Sequence, residues 1–242
     1  MDKLYIIIPA YNEEENIEAV AREWHEIVCE TGGQSRLAII DDGSRDGTYA
    51  KLCELKQELA QLEAITKPNG GHGATVLYGY HYALENGADY VFQTDSDGQT
   101  LPSEFGHFWE NRADCDFQIG SRKGRQDGAS RVLVTKVLKL VLFMQFGLWI
   151  EDANTPFRLM SAASLRELLP VIPENHNLSN VLLTVLYHKH GKEIRFYPIT
   201  FRPRQGGVNS INFKRITQIG RKAVRDFASL KKDASFSRQS DS

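Results

Sequence analysis

In the stretch YVFQTDSDGQTLP, residues 90–102, an apolar run ends on two carboxylates, Asp95 and Asp97, separated by one small residue. Like charges that close repel, and burying either is costly unless it is paired or metal-bound. A divalent cation resolves the conflict. Mg2+ and Mn2+ prefer hard oxygen ligands and take one or two protein carboxylates, with substrate phosphates completing the shell. Two other loop chemistries fail on spacing. An EF-hand counted from Asp95 meets Gly106 where it needs a bidentate Glu. A Walker loop needs Gly-Lys-Ser/Thr, which does not follow the glycines of NGGHGAT at 69–75.

The elements that must position this pair follow from apolar patterning. The unbroken run LYIII at 4–8 predicts a buried parallel strand, and PAYNEEEN lies at its carboxyl end. Asn12 is placed to cap the next helix, with Glu13, Glu14 and Glu15 in its positively polarised first turn. That helix runs to about residue 30 and stops at Gly32-Gly33. A second strand at 36–40 ends on DDGSRDGT, followed by a helix over 48–62. A third strand at 64–66 leads into NGGHGAT and a helix over 75–86, and a fourth at 89–94 ends on the Asp95/Asp97 pair. This alternation predicts an open, mostly parallel α/β sheet with right-handed crossovers. Further on, the pattern predicts strands at 117–120 and 194–201. It also predicts helices at 129–146, 164–169, 178–190 and 213–230, with a disordered tail over 231–242. No linker divides the chain, so residues 1–230 read as one domain.

Three polar clusters, at residues 9–13, 41–46 and 95–97, thus share the carboxyl edge of one sheet, where open α/β folds bind ligands. The 242 residues are 41% hydrophobic and 25% charged, an ordinary globular balance, and the net charge of −2 gives no bulk argument for nucleic acid. The basic residues are unevenly spread. Ten Lys/Arg against three acids fall in residues 201–242, and a second basic sector spans 122–139. Such segments suit phosphates, an anionic membrane surface or solvated helix faces. Cys29, Cys53 and Cys115 are far apart without C-x-x-C spacing, which points to reduced thiols in the cytoplasm. The chain enters a strand at once, so no signal peptide is expected. The apolar segment at 140–150 is about half a membrane span and is expected to lie against a core or on a membrane. Phe146 and Trp149 on it are expected to be core residues or interfacial anchors, and His188 and His190 to face solvent.

Taken in order, IIIPAYNEEENI, IIDDGSRDGT, NGGHGATVLYGYHYALENGADYV, TDSDGQ, the GSR at 120–122 and EDANTPFRL at 151–159 resemble the motifs of family 2 inverting glycosyltransferases. Within that family the chain looks most like the polyprenyl-phosphate sugar transferases, of the dolichol-phosphate mannose synthase kind. The resemblance implies a GT-A fold, a single Rossmann-like domain whose mostly parallel sheet is flanked by helices. Residues 1–121 would be its nucleotide-sugar half and 122–230 its acceptor half. It also implies a nucleotide-diphosphate sugar donor and Mg2+ or Mn2+. Pro9, Ala10, Tyr11 and Glu13 would line the nucleotide pocket, and Asp42 would accept a hydrogen bond from the base. Asn69 and Gly71 would let the chain pass close to the donor. Asp95 would serve ribose and metal, and Asp97 would be the principal metal ligand. Asp152, rather than its neighbour Glu151, corresponds to the family's base, taking the proton of an acceptor hydroxyl as its oxygen attacks the anomeric carbon. If the acceptor is a phosphate anion, Asp152 need only orient it. Arg122, Arg131 or Arg204 would hold the leaving diphosphate or an acceptor phosphate.

The segment PITFRPRQGGVNS at 198–210 resembles the late basic motif of the lipid-phosphate enzymes. Arg204 and Gly207 match it, and Asn209 and Ser210 stand where a Ser-Lys pair is expected. The acceptor is therefore either a polyprenyl phosphate at the inner face of the cell membrane, with peripheral contact to anionic lipid, or a saccharide hydroxyl in polysaccharide synthesis. Two other readings carry a discriminating feature. A haloacid-dehalogenase-type phosphatase needs Asp-x-Asp-Gly-Thr after the first strand, whereas Gln99 separates Gly98 from Thr100 here and the loop follows the fourth. A non-catalytic sugar-nucleotide binder is at odds with Asp42, Asp95, Asp97 and Asp152 all being present.

Overall fold

The computed structural model describes residues 2–122, 129–174 and 176–202 together with Phe227, and the side chains of residues 129–134 lie outside the description. Its frame is a sheet of seven strands in the order β3-β2-β1-β4-β6-β5-β7. These are β1 (Leu4–Ala10), β2 (Arg36–Asp41), β3 (Leu62–Thr66), β4 (Tyr90–Gln93), β5 (Phe117–Arg122), β6 (Arg158–Ser161) and β7 (Ile194–Ile199). Every pairing is parallel except the two made by β6, which runs against β4 and β5. The predicted mostly parallel α/β domain is what forms.

The apolar runs bury both faces of the sheet, as a strand covered by helices on each side requires. From β1, Leu4, Ile6 and Ile8 join a cluster with α1 (Ile17–Thr31) and α2 (Thr48–Glu58), while Tyr5 and Ile7 join one with α3 (His72–Glu85). α4 (Phe105–Glu110) belongs to the first layer. α5 (Ala129–Phe146), α6 (Ala162–Leu168) and α7 (Ser179–Lys189) belong to the second. The α1 stripe of Ile17, Val20, Ala21, Trp24 and Val28 has helical spacing. Trp24 reaches Phe92 of β4 with ring centroids 5.3 Å apart. On the other face Gly79 lets α3 lie against the sheet, because a Cβ there would stand 2.3 Å from Ile7 Cγ2.

Some expectations need correction. Asn12 does not cap α1. Its backbone is left-handed, with φ at +54°, and its side-chain carbonyl accepts the Arg45 amide at 2.8 Å. The helix starts at Ile17 with Glu18 in its first turn, and residues 14–16 form the turn before it, closed on the Glu13 carbonyl. β6 and α4 were not foreseen. β6 is four residues long and opens on an arginine, which reads as surface rather than as a central strand. His188 and His190 are half-buried rather than solvent-facing. Phe146 is core, whereas Trp149 is 70% exposed. The basic helix predicted at 213–230 and the tail at 231–242 lie outside the described residues, Phe227 excepted.

Candidate active site

Strand direction decides which residues meet. β1, β2, β4 and β5 deliver their carboxyl ends to one edge. β6 runs the other way, so the loop that precedes it, residues 151–157, arrives at the same edge. Two clusters form there.

The first cluster is built around Asp42, directly after β2 and 3% exposed. Its Oδ1 accepts from Lys67 Nζ at 2.5 Å and from the Gly70 amide at 2.8 Å, and Oδ2 accepts from the Gly71 amide at 2.8 Å. Asn69 Nδ2 donates to the Asp42 carbonyl at 2.8 Å. Asp42 thus folds the glycine-rich loop onto the strand end. Burial pushes its pKa up, but Lys67, the Gly70 amide, the Thr75 hydroxyl and the Gly71 amide outweigh burial and hold the carboxyl below its usual range. The loops after β1 and β2 are stapled to each other alongside. The Glu13 amide donates to Thr48 Oγ1 at 2.9 Å, and Glu14 accepts from the Gly47 amide at 2.9 Å. Pro9, Ala10 and Glu13 are buried, and Tyr11 projects at the strand end, 42% exposed.

The second cluster lines a cavity of 320 Å³ whose wall includes Asp95, Asp97, Gln99, Arg122, Lys139 and Asp152. Asp95 Oδ1 lies 2.9 Å from His72 Nε2, in the first turn of α3. Desolvation works against the His72 imidazolium, yet the charges of Asp95 and Asp97 prevail and its pKa is raised. Asp97 Oδ1 accepts the Gln99 amide at 3.1 Å, and Gln99 is tied in turn to the chain after β7, through Arg202, by two bonds of 2.8 and 2.9 Å. On the same cavity, Arg122 Nε donates to Asp152 Oδ2 and Nη2 to Oδ1, each at 2.8 Å. Both side chains are under one-tenth exposed. The neighbouring Glu151 is exposed and accepts from Ser121 Oγ at 2.5 Å. Asp152, not Glu151, is therefore the carboxylate on the cavity.

The donor set suits a hard divalent cation. Asp95 and Asp97 offer half-buried carboxylate oxygens on the wall of the cavity. Among the described residues no cluster of three acidic, His or Cys side chains could hold an ion by itself. A cation here would complete its shell from phosphate oxygens and water, the usual arrangement for Mg2+.

The structure thus brings Asp95, Asp97, Arg122 and Asp152 together, and places Asp42, Asn69 and Gly71 in the adjoining cluster. Arg131 lies in α5 with its side chain outside the description, and Arg204 lies outside the described residues. Sequence reasoning missed Gln99, Lys139 and Arg158. Gln99 carries a legible signal, two residues after Asp97. Arg158 carries none, because an arginine between Phe157 and Leu159 reads as a solvated position. It is instead wholly buried.

Comparison with known proteins adds identity to this geometry. The model of the family described as glycosyl transferase family 2 matches residues 5–169. The chain is 27% identical over 224 residues to the polyprenol monophosphomannose synthase of Mycolicibacterium smegmatis, covering 88% of this chain and 82% of that protein. It is 29% identical over 188 residues to the UDP-N-acetylglucosamine–dolichyl-phosphate N-acetylglucosaminyltransferase of Methanococcus voltae, covering 69% and 73%. It is 27% identical over 217 residues to the undecaprenyl-phosphate mannosyltransferase of Micrococcus luteus, covering 87% and 88%. Among solved structures it superposes on the glucosyl-3-phosphoglycerate synthase of Mycobacterium tuberculosis, crystallised with Mn2+, uridine diphosphate and glucosyl-3-phosphoglycerate. The TM-score is 0.68 at 17% identity, over 95% of this chain and 80% of that one, a likeness of fold.

Proposed function

The chain belongs to glycosyl transferase family 2, and from that premise we propose that it moves a sugar from a nucleotide-diphosphate donor onto a polyprenyl phosphate, with inversion at the anomeric carbon. The observation that carries this reading is the single cavity holding Asp95, Asp97, Lys139 and the Arg122–Asp152 pair. Two carboxylates not engaged by Arg122, a lysine and an arginine–carboxylate pair line one cavity, which suits a metal-bound diphosphate leaving from a sugar while an anionic acceptor approaches.

The nucleotide lies along residues 9–13 with its base near Asp42, and the diphosphate faces Asp95 and Asp97. Those two would hold Mg2+ or Mn2+, which when bound would supply charge neutralisation to the diphosphate. An acceptor oxygen bonds to the anomeric carbon as the bond from that carbon to the diphosphate oxygen breaks, releasing nucleoside diphosphate. Both oxygens of Asp152 are engaged by Arg122, an arrangement that orients more readily than it takes a proton. A phosphate acceptor, already an anion, needs only orientation. Residues 1–121 form the donor half and 122–230 the acceptor half.

The acceptor reading extends to the surface of α5. Val137, Leu140, Phe143 and Met144 are exposed along one stripe, and Trp149 follows, its ring 6.0 Å from that of Phe143. Lys136 is exposed beside them. Such a basic, aromatic, apolar face suits the interface of an anionic bilayer, which would place the enzyme on the cytoplasmic side of the membrane. Among the described residues no helix is long and apolar enough to cross a membrane. The opposite side of α5 reaches the cavity through Leu138, Lys139 and Leu142.

The decisive experiment incubates the purified chain with a panel of nucleotide sugars, Mg2+ or Mn2+, and undecaprenyl phosphate in detergent, read by mass spectrometry. A glycosylated lipid phosphate is the expected product. Transfer only to added saccharides would replace the lipid acceptor by a carbohydrate hydroxyl. Release of inorganic phosphate from simple esters would sink glycosyl transfer itself.

A further inference from the structure

Arg158 opens β6, 0% exposed, in register with Gln93 of β4 and Ile119 of β5. A buried guanidinium is normally matched by a carboxylate. Here every hydrogen bond it makes among the described residues ends on a carbonyl or hydroxyl oxygen. Nε donates to the Thr155 carbonyl at 2.9 Å. Nη2 donates to the carbonyls of Thr155 at 2.7 Å and Ala153 at 3.2 Å, and Nη1 to the Asn180 carbonyl at 3.0 Å. The Thr184 hydroxyl stands 3.5 Å from Nη1 and itself donates to the Ala153 carbonyl at 3.2 Å. Its plane lies against Phe117, 5.4 Å from the ring centroid.

These partners fall on the two segments that wall the acceptor side of the cavity. Residues 153–155 directly follow Asp152, and Asn180 lies in the first turn of α7. A leucine at this position would extend the apolar cluster at no desolvation cost, but only a planar fork with five donors can gather those carbonyls at once. The buried cation thus exchanges its solvation for bonds that join the loop carrying Asp152 to α7.

We propose that Arg158 is a positioning residue: it fixes the loop that carries Asp152 to the start of α7, and so sets the direction from which Asp152 meets the acceptor. This rests on the reading of Asp152 as the acceptor-facing carboxylate. Arg158 touches no substrate in this account. Its effect is on turnover rather than on donor binding, because its hydrogen bonds go to the Asp152 loop and to α7 and none goes to the Asp42 cluster or the Asp95/Asp97 pair.

The test compares Arg158→Met, Arg158→Lys, Asp152→Asn and the double variant Arg158→Met/Asp152→Asn. The readouts are donor Kd by calorimetry, kcat and acceptor KM by mass spectrometry, and Tm. Arg158→Met is expected to leave donor Kd within threefold and lower kcat by about 100-fold, the scale of a 1 Å misplacement. Arg158→Lys, which keeps the charge but not the fork, is expected to recover only part of that loss. The double variant is expected to be no slower than Asp152→Asn alone, because both changes remove one function. Unchanged kcat in Arg158→Met with Asp152→Asn inactive would overturn the proposal, as would losses that multiply in the double variant. Wild-type turnover in Asp152→Asn strikes at the Asp152 reading instead, and so separates the two failures. If Arg158→Met does not fold, Arg158→Lys alone carries the test: a kcat loss at constant donor Kd supports positioning, and unaltered kcat refutes it.

Discussion

Arg122 and Asp152 are 30 residues apart in sequence and meet through two parallel hydrogen bonds of 2.8 Å, one to each carboxylate oxygen. The pair joins the carboxyl end of β5 to the loop before β6. Removing one member leaves an uncompensated charge in a nearly closed environment, which costs about 3–5 kcal/mol for buried pairs. Arg122→Ala should therefore lower unfolding free energy by roughly 3 kcal/mol. Arg122→Ala/Asp152→Ala should regain most of it, while both variants lose transfer. Denaturant unfolding reads this directly. Equal stability of the two variants would mean that the pair is not energetically coupled.

Metal dependence turns on Asp97. Asp97→Asn keeps the shape of the side chain and removes the charge that a cation needs. Transfer should fall at least about 100-fold and chelator should abolish it in the wild type, with Mg2+ or Mn2+ restoring it. Calorimetric titration of Mn2+ in the presence of nucleoside diphosphate gives a second reading, and should show no binding to Asp97→Asn. Full turnover under chelator would falsify the metal role.

Asp42 predicts an acid limb. Its carboxyl is held below the usual range in the fold, so the native state favours the ionised form more strongly than the unfolded chain does. That stabilisation is complete above the unfolded pKa, about 4, and is lost as pH falls through the lower folded value. Asp42→Asn should thus cost stability near neutrality, about 2 kcal/mol for hydrogen bonds to a charged group. It should cost progressively less as the medium is acidified below pH ~4. Melting curves of both proteins from pH 7 to pH 3 test it. A gap that widens in acid would contradict the assignment.

At Gly79 two effects oppose each other. Alanine is favoured over glycine in a helix interior by about 1 kcal/mol. However, its Cβ would stand 2.3 Å from Ile7 Cγ2 and 2.7 Å from Ile40 Cδ1, and overpacking a core costs about 1–3 kcal/mol. Both contacts are with rigid strand residues, so sterics should win and Gly79→Ala should lower Tm. A higher Tm would show that α3 can lift from the sheet at little cost.

What the chain discloses about itself follows physical lines. Unbroken apolar runs that pass into acids, as at Ile40-Asp41 and Thr94-Asp95, reveal both the strands and the functional edge, because an apolar core and charged side chains that need polar partners meet within two residues. The Asp95/Asp97 pair was legible for the same reason. β6 was not, since its four residues take their strand character from neighbours on both sides rather than from their own pattern. Arg158 was hidden with it, its burial depending on carbonyls of the loop just before it and of α7. Likewise, no local signal shows that Lys67 and the Gly70 and Gly71 amides occupy the Asp42 carboxylate, or that Asn12 serves the loop after β2 instead of α1.

The exposed stripe of α5 yields the last prediction. Leu140 and Phe143 are each 52% exposed, Met144 is 64% exposed, and Lys136 lies on the same side of the helix. Apolar side chains gathered in this way usually mark a partner surface. A bilayer takes them by burying the stripe while anionic headgroups receive the lysine, with each basic residue near the surface adding about 1 kcal/mol. Phe143→Ser/Trp149→Ser removes aromatic area without touching the cavity. It should therefore reduce co-sedimentation with vesicles containing anionic lipid at least about 10-fold, given roughly 1.5–3 kcal/mol per fully buried large side chain. Turnover with a short, water-soluble prenyl phosphate should be unchanged, because cavity contact runs through Leu138, Lys139 and Leu142 on the other side of the helix. Loss of activity with the soluble acceptor would place these residues in the acceptor path itself. Undiminished vesicle binding would move the membrane contact away from α5.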